Sequence, residues 1–344
     1  MNILTEAYQE IKDIRENLYF FQKYLEENPG CCLTDEFKGF VEDTKAELES
    51  ALAELKIIKA DIRAKRAWAL LDAGKYEKGL ALYKSLSWKT HGEQKYLGIG
   101  RAFSAMGYCD KAKKIVNKGL KKFPRSASLL NAMGLLYADI NNHQKAIDYY
   151  NMANMALLLA PEDNDILFNK AVSLYAMHFY EDAMHILDYI LTKCPDNPMY
   201  LTKMGYCHLN IGYPEIAARF FKSLIYRGFW ESDIYNGLFC AYLEMDFKTE
   251  MLEIAKEAIK KSCNEDYTLY TNMGIAYYVH DWLHETREVV IKGLKKFPDN
   301  EKLKKFLKII DDEINSPDDD KNSGIDSILR LMTFLKMHKM LKKR

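Results

Sequence analysis

The 344-residue chain carries 49 basic and 49 acidic residues and is 48% hydrophobic and 12% aromatic. That is too apolar for a disordered chain, and the balanced charge leaves no global field to draw it to nucleic acid. No stretch approaches 18 uninterrupted apolar residues, so no membrane span is expected.

In chain order, residues 2–28 read as one helix. Leu4, Ala7, Ile11, Ile14, Leu18, Phe21 and Leu25 step by three and four, a heptad stripe. Asn28-Pro29-Gly30 ends it, and Thr34 caps a second helix. That helix carries its own stripe through Phe37, Val41, Thr44, Leu48, Ala51, Leu55, Ile58 and Ile62. No Gly or Pro interrupts it between Phe40 and Ala73, so it should run on for roughly 58 Å at 1.5 Å per residue. Residues 1–59 are therefore expected to form a coiled helical hairpin. It either seals the first apolar face of the helices C-terminal to it or self-associates through surplus aromatic surface at Phe20, Phe21 and Tyr24. The start of the chain shows no basic region followed by an apolar run. The seven cysteines (31, 32, 109, 194, 207, 240, 263) form an odd set of free thiols that fits a reducing, cytoplasmic setting, with peripheral membrane contact as an option.

From about residue 60 to residue 300 the chain repeats itself. Lys118-Gly119-Leu120-Lys121-Lys122-Phe123-Pro124 returns letter for letter as Lys292-Gly293-Leu294-Lys295-Lys296-Phe297-Pro298, an offset of 292 − 118 = 174 residues. That equals five periods of about 34 plus four residues, three in the Leu157–Pro161 stretch and one near Asn264. Between the copies the same skeleton recurs as Leu130, Gly134, Tyr137 and Ala146, as Leu167, Ala171 and Ala183, and as Leu201, Gly205, Gly212 and Ala217. Fainter copies run through Tyr235, Leu238 and Tyr242 and through Leu70, Gly74 and Tyr76, which makes seven units.

This pattern resembles the tetratricopeptide repeat family over roughly 240 residues. The resemblance implies an all-α superhelix of stacked helical hairpins, because no single hairpin buries its apolar face alone. It also implies that the first helix of each hairpin lines a groove for a protein segment. Carrying the groove offsets over places Trp68, Arg101, Asn131, Phe168, Tyr175, Lys203, Tyr206, Asn210, Asn236 and Tyr278 there. Amide side chains suit the backbone of a peptide, and aromatic rings suit its apolar side chains. Family members that grip a C-terminal carboxylate need a lysine where this chain has Leu97 and Asn131, so that kind of recognition is not expected.

No phosphate-cradling Gly loop, Gly-x-Ser-x-Gly or His-Glu-x-x-His occurs. His280 and His284 have metal-ligand spacing but straddle an expected turn at Asp281. No enzyme activity, metal or cofactor is expected. Residues 301–315 read as a capping helix with Leu303, Phe306, Leu307 and Ile310 inward. Residues 316–324 read as an acidic linker. Residues 325–344 read as a basic amphipathic helix whose destination is an anionic membrane, the groove or the last repeat. The function expected is a non-catalytic scaffold or adaptor. An export or assembly chaperone, or a non-catalytic subunit of an enzyme complex, is the alternative.

Overall fold

A computed structural model describes residues 3–27, 34–87, 91–157, 163–261 and 266–315. The tail at 325–344, the linker, Cys31, Cys32 and Cys263 lie outside the described residues, as do the side chains of Leu25, Thr34 and Phe37. Among the described residues the chain is all-α, with sixteen helices and no strand. They are α1 (Ile3–Glu27), α2 (Thr34–Asp72), α3 (Tyr76–Ser85), α4 (Gly92–Ala105), α5 (Cys109–Lys122), α6 (Ala127–Asp139), α7 (His143–Ala156) and α8 (Asn164–Ala176). Then come α9 (Tyr180–Lys193), α10 (Pro198–Asn210), α11 (Pro214–Tyr226), α12 (Ser232–Glu244), α13 (Lys248–Lys261), α14 (Tyr267–Tyr278), α15 (Leu283–Lys296) and α16 (Glu301–Ile314). The chain divides into two compact units, residues 1–136 with 155–158 and residues 137–154 with 159–344.

The long helix expected after Thr34 is α2, unbroken over 39 residues. In the first unit α1 packs along α2 through Ile11, Ile14, Ala51 and Leu55, with Leu4, Ala7 and Leu48 beside them. Further along, Ala67 and Leu71 of α2 join Tyr83, Leu86, Ile99 and Ala102 in a second core cluster. In the second unit, Leu167, Ala183, Leu187 and Met204 anchor one cluster. A larger one runs from Tyr206 through Phe221, Leu238, Met251 and Met273 to Phe306 and Ile310.

Seven hairpin turns share one backbone device. A residue in the left-handed region sits at Gly74, Gly107, Asn141, His178, Gly212, Asp246 and Asp281. The next residue's N–H then donates five positions back, as Tyr108 does to the Phe103 carbonyl at 2.8 Å and Trp282 to the Tyr277 carbonyl at 3.1 Å. This closes orphan carbonyls at the helix end and reverses the chain. The residues are those that tolerate positive φ: Gly, Asn, Asp and His. Successive turns lie about 34 residues apart. The longer intervals are 178 − 141 = 37 and 281 − 246 = 35, and they contain the two segments where extra residues were expected.

The duplicated heptapeptide has a matching physical cause in each unit. A Cβ added at Gly119 would lie 2.9 Å from Tyr96 Cβ and 3.0 Å from Leu129 Cδ1. One added at Gly293 would lie 2.9 Å from Tyr270 Cβ and 3.1 Å from Leu303 Cδ1. In both copies a second helix crosses under a tyrosine so closely that only glycine fits.

Candidate functional site

In the second unit the first helices of successive hairpins lie side by side: α8 touches α10, α10 touches α12, and α12 touches α14. Seven of the ten expected groove residues sit on this row. Glycine makes the row possible, since Gly205 in α10 leaves 2.9 Å between an added Cβ and the Phe221 ring. Phe221 is fully buried and meets Tyr206 edge-on at 5.2 Å.

The seven residues divide by what their polar atoms do. Tyr206 is 7% exposed, and its hydroxyl donates to the Asp233 carbonyl at 2.7 Å. Asn236, 3% exposed, donates to Thr268 Oγ1 at 2.7 Å and accepts from Asn272 at 2.6 Å. The hydroxyl of Tyr278, 7% exposed, donates to Glu313 Oε2 at 2.7 Å. These three bond each first helix to the next, and the last bonds α14 to the closing helix α16. Burial, reinforced by the Asp233 carboxylate, holds the Tyr206 phenol well above its usual value, so it stays a neutral donor.

The other four reach the surface together. Asn210 is exposed and donates to the Tyr175 hydroxyl at 2.9 Å. Lys203 Nζ lies 4.6 Å above the Tyr175 ring and 5.8 Å from the Tyr206 ring. Phe168 is half-buried, its ring centroid 5.0 Å from that of Tyr200. Tyr175 is also raised above its usual value by burial first. The patch thus offers a cation, an amide and two aromatic rings fixed by packing, with Met199 exposed at the start of α10.

In the first unit, Arg101 of α4 stacks its guanidinium 3.9 Å over the exposed Trp68 ring of α2 and pairs with Asp72 at 2.7 Å. Asn131 is half-buried on α6. Cys207 is buried, and desolvation pushes its thiol up to about 12, as suits a small apolar group rather than a nucleophile. His280 stacks on Trp282 at 5.1 Å beside the turn at Asp281.

Sequence reasoning missed the partners Asp233, Thr268, Asn272 and Glu313. It also missed a row of exposed aromatics in the second unit, Phe179, Tyr213, Phe247 and Trp282, each just after a left-handed turn residue. The signal for both was recurrence at about one repeat.

Residues 97–154 match the sequence model of the tetratricopeptide repeat family. No curated protein sequence matches the chain. Among solved structures, a tetratricopeptide repeat protein from Parabacteroides merdae aligns over 73% of this chain and 98% of its own, at 16% identity and a TM-score of 0.58. The APC/C hetero-tetramer Cut9–Hcn1 aligns over 86% of this chain at 15% identity and a TM-score of 0.54; the alignment spans only 52% of that chain. PilF of Pseudomonas aeruginosa aligns over 64% of this chain and 98% of its own, at 15% identity and a TM-score of 0.51. Residues 97–154 thus carry the tetratricopeptide repeat sequence, and the chain has the fold of these neighbours, an α-α superhelix of stacked helical hairpins. No helix among the described residues is long and apolar enough to cross a membrane.

Proposed function

We propose that the protein is a non-catalytic scaffold or adaptor that holds a partner segment along the first helices of the second unit. The observation that carries this reading is the surface patch of Lys203, Tyr175, Asn210 and Phe168 on two touching helices. Rigid aromatics with a fixed amide and cation are what an extended peptide needs for its side chains and backbone. The Trp68–Arg101 pair is a second contact point in the first unit. The Cut9–Hcn1 neighbour is itself a hetero-assembly, which is in keeping with a partner-holding role. Buried Tyr206, Asn236 and Tyr278 contribute by fixing the row rather than by touching the partner.

The experiment is affinity capture of the tagged full chain from its native cell, wild type against Phe168→Glu/Lys203→Glu. Loss of the captured partner with an unchanged melting temperature supports the reading. Retention of the partner by the folded variant overturns it. A partner that becomes insoluble without this protein would favour the chaperone reading, and turnover of a substrate by the purified chain would sink the non-catalytic one. The sequence-based readings that the N-terminal hairpin self-associates, that the basic tail touches an anionic membrane and that the protein works in the cytoplasm belong to the same proposal.

A further inference from the structure

The α1–α2 hairpin has a single buried seam, and its two open flanks differ in charge. Helical spacing from the seam residues Ile11, Ile14, Ala51 and Leu55 assigns each surface residue to a flank. On one flank stand Glu6, Glu10 and Asp13 of α1 with Asp43, Glu47 and Glu54 of α2, all exposed. On the other stand Lys12 and Arg15 of α1 with Lys45, Lys56, Lys59 and Arg63 of α2. Glu16, Glu42 and Glu49 lie on the outer margin of this basic flank, Glu16 pairing with Lys12 at 3.7 Å, while Glu26 stands on the basic flank and Lys65 on the acidic one as single opposite charges towards the ends of the helices.

Two contacts fix the assignment. Lys59 Nζ sits 4.8 Å over the Tyr8 ring, which places those residues of the two helices on the same side. Phe21 and Phe40 stack at 6.0 Å, at the edge of the acidic side. The basic flank also holds an open depression of 320 Å³ lined by Tyr8, Ile11, Lys12, Arg15, Glu16 and Tyr19. Large apolar side chains are also exposed, Tyr19 (68%) on the basic flank and Phe20 (61%) at the outer margin of the acidic one.

We propose that the basic flank of one chain docks on the acidic flank of a second copy of the same chain. The proposal rests on the self-association reading and supplies its chemistry. The occupant is a second copy because the complement of each flank is present on the same hairpin, at the same height along it. In helical pairings, flanking charges of this kind choose the partner, while apolar side chains supply the contact area. A two-fold contact would set each flank against itself, like charge on like charge. The contact is therefore head-to-tail, and it propagates into a ring or a filament. Exposed pairs are screened by salt, so the association weakens as ionic strength rises.

Sedimentation of the full chain tests this. Wild type should sediment above the 40.0 kDa of one chain at about 0.05 M salt and approach it near 0.5 M, as the Debye length falls from above ~10 Å to a few Å. Lys12→Glu/Arg15→Glu/Lys45→Glu/Lys56→Glu leaves two of the six basic residues against four acidic ones and so makes both flanks acidic, and Glu6→Lys/Glu10→Lys/Glu47→Lys/Glu54→Lys likewise makes both basic. Each variant alone should be monomeric at low salt, and an equimolar mixture should assemble again. Circular dichroism checks that helicity is kept, which is expected because all eight side chains are exposed. A monomeric wild type overturns both this proposal and the self-association reading. An assembled wild type whose mass neither variant changes, or variants that stay monomeric when mixed, overturns this proposal and leaves self-association standing. Partner capture through the second unit is indifferent to all of these changes.

Discussion

Two helices of this chain use their apolar residues in opposite ways. α14 is 12 residues long and buries nine of them, from Leu269 through Ala276 and again at Tyr278. α1 is 25 residues long, and Ile11 and Ile14 are its buried residues among those described. α14 is touched by α12, α13 and α15, so it is apolar nearly all round. α1 lies along α2, so a heptad stripe suffices and its remaining faces are left to charge. A substitution in the stacked helices should therefore cost stability, and one on the open faces of the hairpin, away from the Ile11, Ile14, Ala51 and Leu55 seam, should leave stability nearly unchanged.

The largest effect is expected where a ring fills the stack. Tyr206→Ala removes a buried ring packed on Phe221 and the bond to Asp233, and should cost about 3–5 kcal/mol. Tyr206→Phe keeps the ring and should cost only about 1 kcal/mol. Tyr19→Ala, on the open face of α1, should change stability by less than about 0.5 kcal/mol. Urea unfolding of the three variants checks the ranking; equal costs for Tyr19→Ala and Tyr206→Ala would erase the contrast.

Next comes overpacking. A Cβ at Gly274 would meet Phe306 Cε1 at 2.7 Å and Val290 Cγ2 at 3.3 Å. Gly274→Leu should cost roughly 1–3 kcal/mol, because the closing helix α16 must shift to admit it. The loss should appear as a lower melting temperature and as faster hydrogen exchange in α16 before the rest.

Much of this was legible in the sequence. The duplicated heptapeptide set the period, and the small residues at Gly100, Gly205 and Gly274 marked the close approaches, since each faces a side chain of a neighbouring helix. The groove offsets put seven of the ten candidate residues on α8, α10, α12 and α14, the first helices of hairpins in the second unit. They did not say which residues would spend their hydrogen bonds within the stack. Tyr206 finds Asp233 27 residues on, Asn236 finds Asn272 36 on, and Tyr278 finds Glu313 35 on. The separation varies because each helix is displaced along its neighbour, so a fixed offset misses the partner. The charged flanks of the hairpin were hidden for another reason. Opposite charges alternate along α1 and α2, and they separate only when the seam fixes which way each helix faces.

A smaller effect is expected at His208, whose imidazole stacks on Phe220 at 5.6 Å while its buried Nδ1 has no hydrogen-bond partner among the described residues. Burial lowers its pKa below 6.5, and the nearby Asp188 carboxylate opposes that only in part. Above pH 6.5 both folded and unfolded chains hold the ring neutral, and its contribution to stability is fully present. As pH falls through 6.5 the unfolded chain takes the proton first, so stability is lost until the folded ring titrates as well. His208→Gln should flatten this part of the melting-temperature profile below about pH 6.5. A variant profile parallel to wild type would show that the ring is not the cause.

The smallest effect should be a gain, and it should be confined to the hairpin. Gly39 lies inside α2 with nothing within 4 Å of where a Cβ would stand. It has no left-handed backbone angle to justify a glycine, so Gly39→Ala relieves only the helix-propensity cost of about 0.5–1 kcal/mol. Helix pairs with one seam open more readily than a stack held on several sides, so the gain belongs to local opening rather than to the cooperative melt. Amide hydrogen exchange should slow through α1 and the first half of α2, while rates in α10 to α15 stay unchanged. If protection rises equally in both regions, the hairpin and the repeats unfold as one body, and the contrast between α1 and α14 is one of burial alone.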